Sequence, residues 1–315
     1  MKVAVLTGGT GGTKLVQGLH RLVAPEDIAV VVNTGDDLEW WGLHVSPDID
    51  SVLYGLADLL SSDRGWGVND DSFRCMERMK QLGEPAWFSL GDLDLATHLT
   101  RTSLLRQGLT LRQSTAELAR RMGINSRVLP MSDDRVSTML DTDKGRLNFQ
   151  EYFVRERHSV VVHSVEFVGA EQSRPAPGVL EAVASADVIV FAPSNPVTSI
   201  GPILAVPGIR EALQQAGAPI AAVSPVIGGE AVSGPAAALM QMQGWPSTIA
   251  GIALAYEDFL DVLVVDERDR SEAEKLRSGE IEVVCGPTLM RSLQDKIKLA
   301  QFVLESSARG RHQTA

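Results

Sequence analysis

The sequence predicts an α/β fold: a Rossmann-like parallel sheet flanked by helices, with a mainly helical insertion. One observation is the stretch 3–14, VAVLTGGTGGTK, which runs from apolar residues through a glycine-rich turn into an amphipathic segment. That order is typical of a strand, a tight turn and a helix. The other is the recurrence of short apolar runs rich in β-branched residues, as parallel strands buried on both faces require. These runs occupy 28–32, 187–191, 220–223 and 262–265.

The glycine-rich turn predicts an anion site, because it places backbone N–H groups and a helix N-terminus at the end of a strand. It matches neither standard phosphate motif. Lys14 stands where a dinucleotide fingerprint has its third glycine, and Thr13 stands where a P-loop has the glycine before its lysine. A turn needed only for tight packing is the alternative. The residues expected at the anion are Gly8, Gly9, Thr10, Gly11, Gly12, Thr13 and Lys14.

The second predicted strand ends in the turn NTGDD, residues 33–37. Because the carboxyl ends of parallel strands face one crevice, we expect Asn33, Asp36 and Asp37 to lie beside the glycine turn. Acidic residues at this point suit ribose binding or metal binding. A solvated turn is the alternative.

The segment 46–54, SPDIDSVLY, is predicted to begin a helix. Ser46 suits the N-cap, Pro47 the first helical position and Asp48 the positive end of the helix dipole. Asp50 has no such structural explanation. With the acidic pair of the preceding turn, these residues make four carboxylates within fifteen positions, a set that suits a hard cation such as Mg2+.

Residues 60–125 are predicted to form the helical insertion. Helix-like spacing recurs at 71–82, 92–106 and 113–122. Asp94, His98 and Arg101 fall at i, i+4 and i+7 of the second helix, so they share one face. From the residues alone, a substrate-facing row and a packed structural histidine both stay open.

Small polar residues follow the later predicted strands and open a later helix, so several strand ends should contribute to one ligand crevice. Prolines beside them stiffen the turns, although serine and proline are also ordinary turn residues. The residues expected to contribute are Ser194, Asn195, Ser224, Ser233 and Gly234.

Composition limits the function classes. The 315 residues, 44% hydrophobic and 22% charged, are ordinary for a globular protein, and we expect one domain over 1–305 with a flexible tail over 306–315. A net charge of -11 argues against nucleic acid as the main partner. Cys75 and Cys285 have no metal or disulfide spacing. Neither a membrane span nor a signal-peptide pattern is present, so we expect a cytoplasmic protein.

Taken together, these stretches resemble the 2-phospho-L-lactate transferase family of coenzyme F420 biosynthesis (CofD/FbiA). The motifs follow one another in the family's order along most of the chain, which is far more specific than any single motif. They are TGGTGGTKL at 7–15, VVNTGDD at 31–37, SPDIDSVLY at 46–54, GDLDLATH at 91–98, LPMSDDRVST at 129–138, FAPSNPVTSIGPIL at 191–204, VSPVIGG at 223–229, VSGPA at 232–236 and FLDVLVVDERD at 259–269.

The resemblance implies an enzyme that joins a guanylylated three-carbon phospho-acid to the deazaflavin FO. The terminal ribityl hydroxyl of FO attacks the phosphorus that bears the acid, GMP leaves, and a phosphodiester forms with Mg2+ assistance. Relatives use phospholactate, phosphoenolpyruvate or 3-phosphoglycerate derivatives, and nothing in the sequence chooses among them. A homodimer is the family's expectation. Residues 146–168 are the candidate interface, with an internal hairpin as the alternative.

The resemblance also assigns roles to residues. The glycine turn should hold the donor phosphates, and the five small polar residues named above should face the guanosine. Asp48 and Asp50 should lie at FO and the metal. Asp50 either orients or deprotonates the attacking hydroxyl, or it binds Mg2+ directly.

Four further residues are expected at the substrate pocket, although their segment departs from the family pattern. The family has a basic residue at the position of Ser89 and GDRD where this chain has GDLD at 91–94, so the contact there should differ. The four residues are Ser89, Asp92, Asp94 and His98.

Two other functions compete with the transferase. A more distant resemblance, to YvcK-like proteins, implies a nucleotide-sugar-binding regulatory protein without catalysis. The motifs at 46–54 and 91–98 favour the transferase, because they bear on the FO side. An NAD-dependent oxidoreductase is disfavoured by the missing third glycine.

Overall fold

The computed structural model describes residues 1–231, 234–276 and 280–310. Its strands carry the β labels used below. They are β1 (Val3–Thr7), β2 (Ile28–Val32), β3 (Leu38–Trp40), β4 (Leu43–Val45), β5 (Arg127–Pro130), β6 (Ser137–Thr142), β7 (Gly145–Asn148), β8 (Val162–Val168), β9 (Val188–Phe191), β10 (Ile220–Val223), β11 (Val226–Ile227), β12 (Glu230–Ala231), β13 (Val262–Asp266) and β14 (Glu282–Gly286).

A seven-stranded parallel sheet forms the centre, with strand order β14-β13-β10-β9-β1-β2-β5. The predicted Rossmann-like sheet is therefore confirmed. Its central strands are almost entirely apolar because both faces are covered. In β1, Ala4 and Leu6 pack into one buried cluster while Val3 and Val5 pack into the cluster on the opposite face.

Helices cover both faces of this sheet. Those in the described part of the chain are α1 (Gly9–Leu19), α2 (Pro47–Leu56), α3 (Arg74–Gln81), α4 (Asp92–Arg106), α5 (Leu111–Arg121), α6 (Val179–Ala184), α7 (Gly201–Ala205), α8 (Ile209–Gln214), α9 (Ala236–Met242), α10 (Ile249–Ala255), α11 (Arg270–Leu276) and α12 (Leu293–Gly310). Across the described ranges, no helix combines the length and apolar character that crossing a membrane needs.

The segment between α2 and β5 contains α3, α4 and α5, so the predicted insertion is helical. The N-terminus of α5 is fixed by a capping box between Thr110 and Gln113. Residues 137–168 form a separate antiparallel sheet in the order β7-β6-β8. Because β7 and β8 lie on opposite sides of β6 and each pairs with it, residues 146–168 do not form the internal hairpin considered as the alternative, and the dimer interface stays a prediction.

The boundary predicted from the sequence between the domain and its C-terminal tail was wrong. The flexible tail was expected to begin at residue 306, but α12 continues to Gly310. Ser306 and Ser307 are buried, and the Ser307 hydroxyl donates to the Val303 carbonyl within the helix. Polar composition suggested fraying, whereas the helix continues through this turn and buries both serines. Residues 311–315 lie outside the described part.

Close packing of α1 against α12 depends on Gly18. A Cβ atom at this position would lie 2.1 Å from the backbone oxygen of Lys296 and 3.1 Å from the Ala300 Cβ. Gly18→Ala should therefore lower the free energy of unfolding by about 1–3 kcal/mol through overpacking, although alanine favours an isolated helix. Urea unfolding measures the change.

Gly217→Ala is the matched control, because a Cβ there meets no atom within 4 Å and the backbone is not in the left-handed region. Its stability should change by less than about 0.5 kcal/mol. Equal stabilities for the two variants would contradict the packing argument.

Candidate active site

A cavity of about 610 Å3 lies at the carboxyl ends of the central strands. In the strand order, β1 lies between β2 and β9, so the chain leaves β1 towards one side of the sheet and later returns on the other. Ligands of open parallel sheets bind at this reversal point. The turns after β1 and β9 form two walls of the cavity. The expected site residues that line it are Gly8, Gly9, Thr10, Gly11, Lys14, Asp36, Asp48, Asp50, Ser89, Asp94, His98, Ser194, Asn195, Ser224 and Gly234.

The glycine turn makes unusually close contacts with its neighbours. The Gly9 N–H donates to Asp48 Oδ1 at 2.7 Å, and φ of Gly9 is +71°. A Cβ on Gly8 would lie 2.7 Å from Asp48 Oδ2, and one on Gly11 would lie 2.7 Å from the Pro193 carbonyl oxygen. These glycines are therefore needed for packing, and the same absence of side chains leaves the turn open to the cavity.

Ser194 and Ser224 line the cavity, but their hydroxyls bond to the backbone. The Ser194 hydroxyl donates to the Gly8 carbonyl at 2.7 Å and joins the two walls. Ser224 donates to the Val226 carbonyl at 2.8 Å. Asn195 accepts the Val197 N–H at 2.9 Å. These side chains shape the turns that face a ligand.

Asp48 is buried between the glycine turn and the second strand. Besides the Gly9 N–H, it accepts the Asn33 side-chain amide at 3.0 Å. Burial raises the pKa of Asp48 to about 6, and these two hydrogen bonds oppose the rise. Burial, followed by the charge of Asp48, also raises the pKa of Asp36 well above its ordinary value. Two buried carboxylates therefore face this cavity without full compensation.

Asp50, Tyr54, Asp94, His98 and Arg101 form a buried polar network between α2 and α4. Arg101 donates to both carboxylate oxygens of Asp50 and is 0% exposed. The Tyr54 hydroxyl donates to Asp94 at 2.6 Å. Burial would raise the pKa of Asp94, but His98 and then Tyr54 hold it below its ordinary value. The shared face predicted for α4 is present, and it packs onto α2.

Three residues expected at the ligand lie behind the cavity wall. Asn33 is fully buried and positions Asp48. Gly12 lies against Thr7, whose Oγ1 would be 1.7 Å from an added Cβ. Thr13 is buried and its methyl group packs on Gly55. Gly12 and Thr13 lie on the side of α1 that faces the protein interior, and Asn33 is held by its hydrogen bond to Asp48, so these three are not part of the cavity lining.

Asp92, which was expected at the substrate pocket, is also not part of the cavity lining. Its carboxylate accepts the Cys75 N–H at 3.0 Å and the Ser72 hydroxyl, while Asp71 accepts the Leu93 and Asp94 N–H groups. The two aspartates thus fasten the loop before α3 to the N-terminus of α4. The position of Asp92 at a helix start explains it without a substrate.

Asp37 faces away from the main cavity. It accepts the Ser46 hydroxyl at 2.7 Å and lies 3.1 Å from His44 Nε2, and both Asp37 and His44 line a second cavity of about 320 Å3. Neighbouring side chains of one turn point in opposite directions, and so only Asp36 of the pair reaches the main cavity. Ser233 lies outside the described residues.

The sequence interpretation missed the apolar wall of the cavity and one basic residue. Trp66 and Phe88 come from the insertion, and Phe149 and Phe153 come from the segment after β7. Phe149 and Phe153 stack with ring centroids 5.5 Å apart. Arg291 lines the cavity from the turn after β14. Its position after a strand is the signal that could have indicated it.

The cavity offers carboxylate oxygens of the kind that Mg2+ prefers. Among the described residues no three carboxylate, histidine or cysteine side chains converge into a metal cage. Mg2+ usually takes one or two carboxylates together with substrate phosphates, so a cage is not required. Asp36 Oδ1 is buried and has no hydrogen-bond partner in the described ranges. Asp36 and Asp48 therefore fit the cation, whereas Asp50 is already paired with the positive charge of Arg101, which disfavours a second cation on it.

A glycine-lined, acidic cavity at the reversal point of a parallel sheet defines a Rossmann-like α/β protein with a preformed ligand site. The chain belongs to the 2-phospho-L-lactate transferase CofD family, whose model matches residues 3–296. The resemblance drawn from the motifs is thereby confirmed.

Individual relatives carry two names. A phosphoenolpyruvate transferase of Streptomyces griseus is 43% identical over 311 residues, covering 97% of this chain and 98% of the relative. A 2-phospho-L-lactate transferase of Methanococcoides burtonii is 44% identical over 300 residues, covering 95% of this chain and 97% of the relative. These similarities support a transferase.

A solved structure supports the fold. A Bacillus halodurans protein of the UPF0052 family matches with a TM-score of 0.63 and 19% sequence identity, covering 96% of this chain and 100% of that one.

Titration of Asp48 should be visible in the stability of the ligand-free protein. Because its pKa is raised on folding to about 6, the folded state favours the protonated carboxyl, and this stabilisation is lost as the pH rises from about 4 to 6. The free energy of unfolding of the wild type, relative to Asp48→Asn, should fall by up to about 3 kcal/mol over this window. Urea unfolding at several pH values measures the difference.

Asp258→Asn is the control, for which the pH dependence of the free energy of unfolding should have the opposite sign. Partial burial would raise the pKa of Asp258, but hydrogen bonds from Arg210 and Gln214 hold it below its ordinary value. Relative to this variant the wild type should gain stability as Asp258 ionises, and lose it as the pH falls. A flat difference curve for Asp48→Asn would contradict the raised pKa.

Proposed function

We propose that the protein transfers a phospho-three-carbon-acid group from its guanosine diphosphate derivative to the ribityl hydroxyl of the deazaflavin FO. The observation that carries the proposal is the cavity of about 610 Å3, in which the glycine turn, the buried carboxylates of Asp36 and Asp48 and an aromatic wall converge. Family membership supports transferase chemistry. The FO acceptor and the guanylylated donor come from the resemblance of the motifs.

The reaction exchanges a phosphoanhydride bond of the donor for a phosphate ester bond to FO. The FO hydroxyl oxygen forms a bond to the phosphorus that bears the acid, and the bond from that phosphorus to the bridging oxygen of GMP breaks. GMP leaves with the bridging oxygen, and the hydroxyl proton passes through the released phosphate to water. Such transfers depend mainly on positioning and on neutralising phosphate charge.

The chain's own residues divide these tasks. The open glycine turn and Lys14 would bind the donor diphosphate. The turns that contain Ser194, Asn195 and Ser224 would hold the guanosine, together with the segment at Gly234. The aromatic wall offers flat apolar surface on which a deazaflavin ring could stack.

Asp36 and Asp48 would hold Mg2+, in partial revision of the expected pair Asp48 and Asp50. When bound there, Mg2+ would neutralise charge on the donor phosphates. Asp50 faces the same cavity and would orient the attacking hydroxyl.

Product formation tests the proposal. The protein is incubated with FO, Mg2+ and, in separate tubes, the guanylylated derivatives of phospholactate, phosphoenolpyruvate and 3-phosphoglycerate. Mass spectrometry should detect FO plus one phospho-acid with at least one donor, together with GMP. Asp48→Asn should lower kcat/KM by roughly 100-fold or more, because it removes a charge from the cation site.

Asp58→Asn is the matched control, since Asp58 is exposed and paired with Arg21 away from the cavity. It should retain wild-type activity. Absence of product with every donor, while guanine nucleotide still binds, would overturn the transferase proposal in favour of a nucleotide-binding protein.

A further inference from the structure

The side chain of Arg101 contacts Asp50 from behind the cavity wall. Asp50 lines the cavity, whereas Arg101 is absent from its lining and is 0% exposed. The guanidinium nitrogen Nη1 of Arg101 donates to Asp50 Oδ2 at 3.0 Å, and its Nη2 donates to Asp50 Oδ1. Arg101 therefore holds both oxygens of Asp50 while having no access to a substrate.

His98 lies between Arg101 and the second carboxylate of the network. Its Nδ1 lies 3.4 Å from Arg101 Nη1 and 3.5 Å from Asp50 Oδ2, and its Nε2 lies 3.2 Å from Asp94 Oδ1. Asp94 also accepts the Tyr54 hydroxyl at 2.6 Å. Arg101 is thus supported by a row of buried groups that ends on a second carboxylate.

Two helices carry the network in matched positions. Asp50 and Tyr54 are four residues apart on α2, and their partners Arg101 and Asp94 are seven apart on α4. The α2 residues therefore face the α4 residues at two points, with His98 between them. Because a two-point contact resists both sliding and rotation of α2, it fixes the direction in which the Asp50 carboxylate points.

We infer that Arg101 is a positioning residue for phosphoryl transfer, which it serves by holding Asp50 as the acceptor of a hydrogen bond from the attacking hydroxyl. Each Asp50 oxygen receives one Arg101 hydrogen bond, so each keeps a lone pair that can face the cavity. A carboxylate in a bidentate arginine pair is held more rigidly than a free one. In a loose transition state the direction of the hydroxyl matters more than its early deprotonation. This inference rests on the proposed function.

Arg101→Lys tests the inference, because lysine keeps the charge but cannot reproduce the two parallel hydrogen bonds. We expect kcat to fall by roughly 10–100-fold while KM for donor and FO changes by less than about threefold. Binding of Mn2+ as a probe ion, followed by its electron paramagnetic resonance signal, should be unchanged. The melting temperature identifies any loss of folding.

Two further variants keep the test decisive if lysine is poorly tolerated. Arg101→Met should lower the melting temperature, because it leaves Asp50 buried and unpaired. Adding Asp50→Asn to it should restore much of the melting temperature without restoring kcat. Arg210→Lys is the matched control: Arg210 makes a similar two-bond pair with Asp258 away from the cavity, and its change should leave kcat unaltered.

The positioning role of Arg101 and the proposed transferase function fail with different results. If the wild type forms product but Arg101→Lys keeps its kcat and loses only stability, Arg101 is structural and the inference is overturned. A rise in KM at constant kcat overturns it as well, because that result indicates a contact that acts in substrate binding. If the wild type forms no product with any donor, the proposed function fails and takes this inference with it.

Discussion

The close approach of the turns after β1 and β9 is the constraint on which the site depends. Gly11 lies against the Pro193 carbonyl, and the Ser194 hydroxyl bonds to the Gly8 carbonyl across the point where the strand order reverses. A side chain at Gly11 would separate these turns, and one at Gly8 would displace Asp48 from the Gly9 N–H. One steric requirement therefore sets the position of the carboxylate, the shape of the crevice and the exposure of its backbone donors.

The buried carboxylates of the cavity lower the stability of the folded protein. Asp36 and Asp48 are buried near one another, and burial raises the pKa of both. Natural proteins tolerate such local conflict at functional sites when the surrounding structure holds it in place. Here the surrounding structure is the apolar packing on both faces of the seven-stranded sheet, together with hydrogen bonds from Asn33 and Gly9. A ligand that brings positive charge would relieve the conflict.

The helical insertion contributes to the site both by lining the cavity and by contacts behind its wall. Its α4 helix packs on α2 through the Asp50–Arg101 and Tyr54–Asp94 pairs, and Asp71 and Asp92 fasten its N-terminus to the preceding loop. The insertion also supplies Trp66 and Phe88 to the apolar wall. It thus supports the carboxylate face from behind and encloses the cavity from the side, so it belongs functionally to the same unit as the sheet.

The sequence by itself determined the parallel sheet, the glycine turn, the helical insertion and the family, because local periodicity, turn chemistry and motif order carry that information. Only the tertiary structure decided which acidic side chains face the cavity. Asp36 and Asp37 are neighbours in sequence but face different cavities. Asp50 and Arg101 form an ion pair although they are 51 positions apart in the sequence. The C-terminal turn at Ser307 looked frayed by composition and is buried by packing. Side-chain direction and long-range pairing result from how elements pack, which a single sequence does not encode locally.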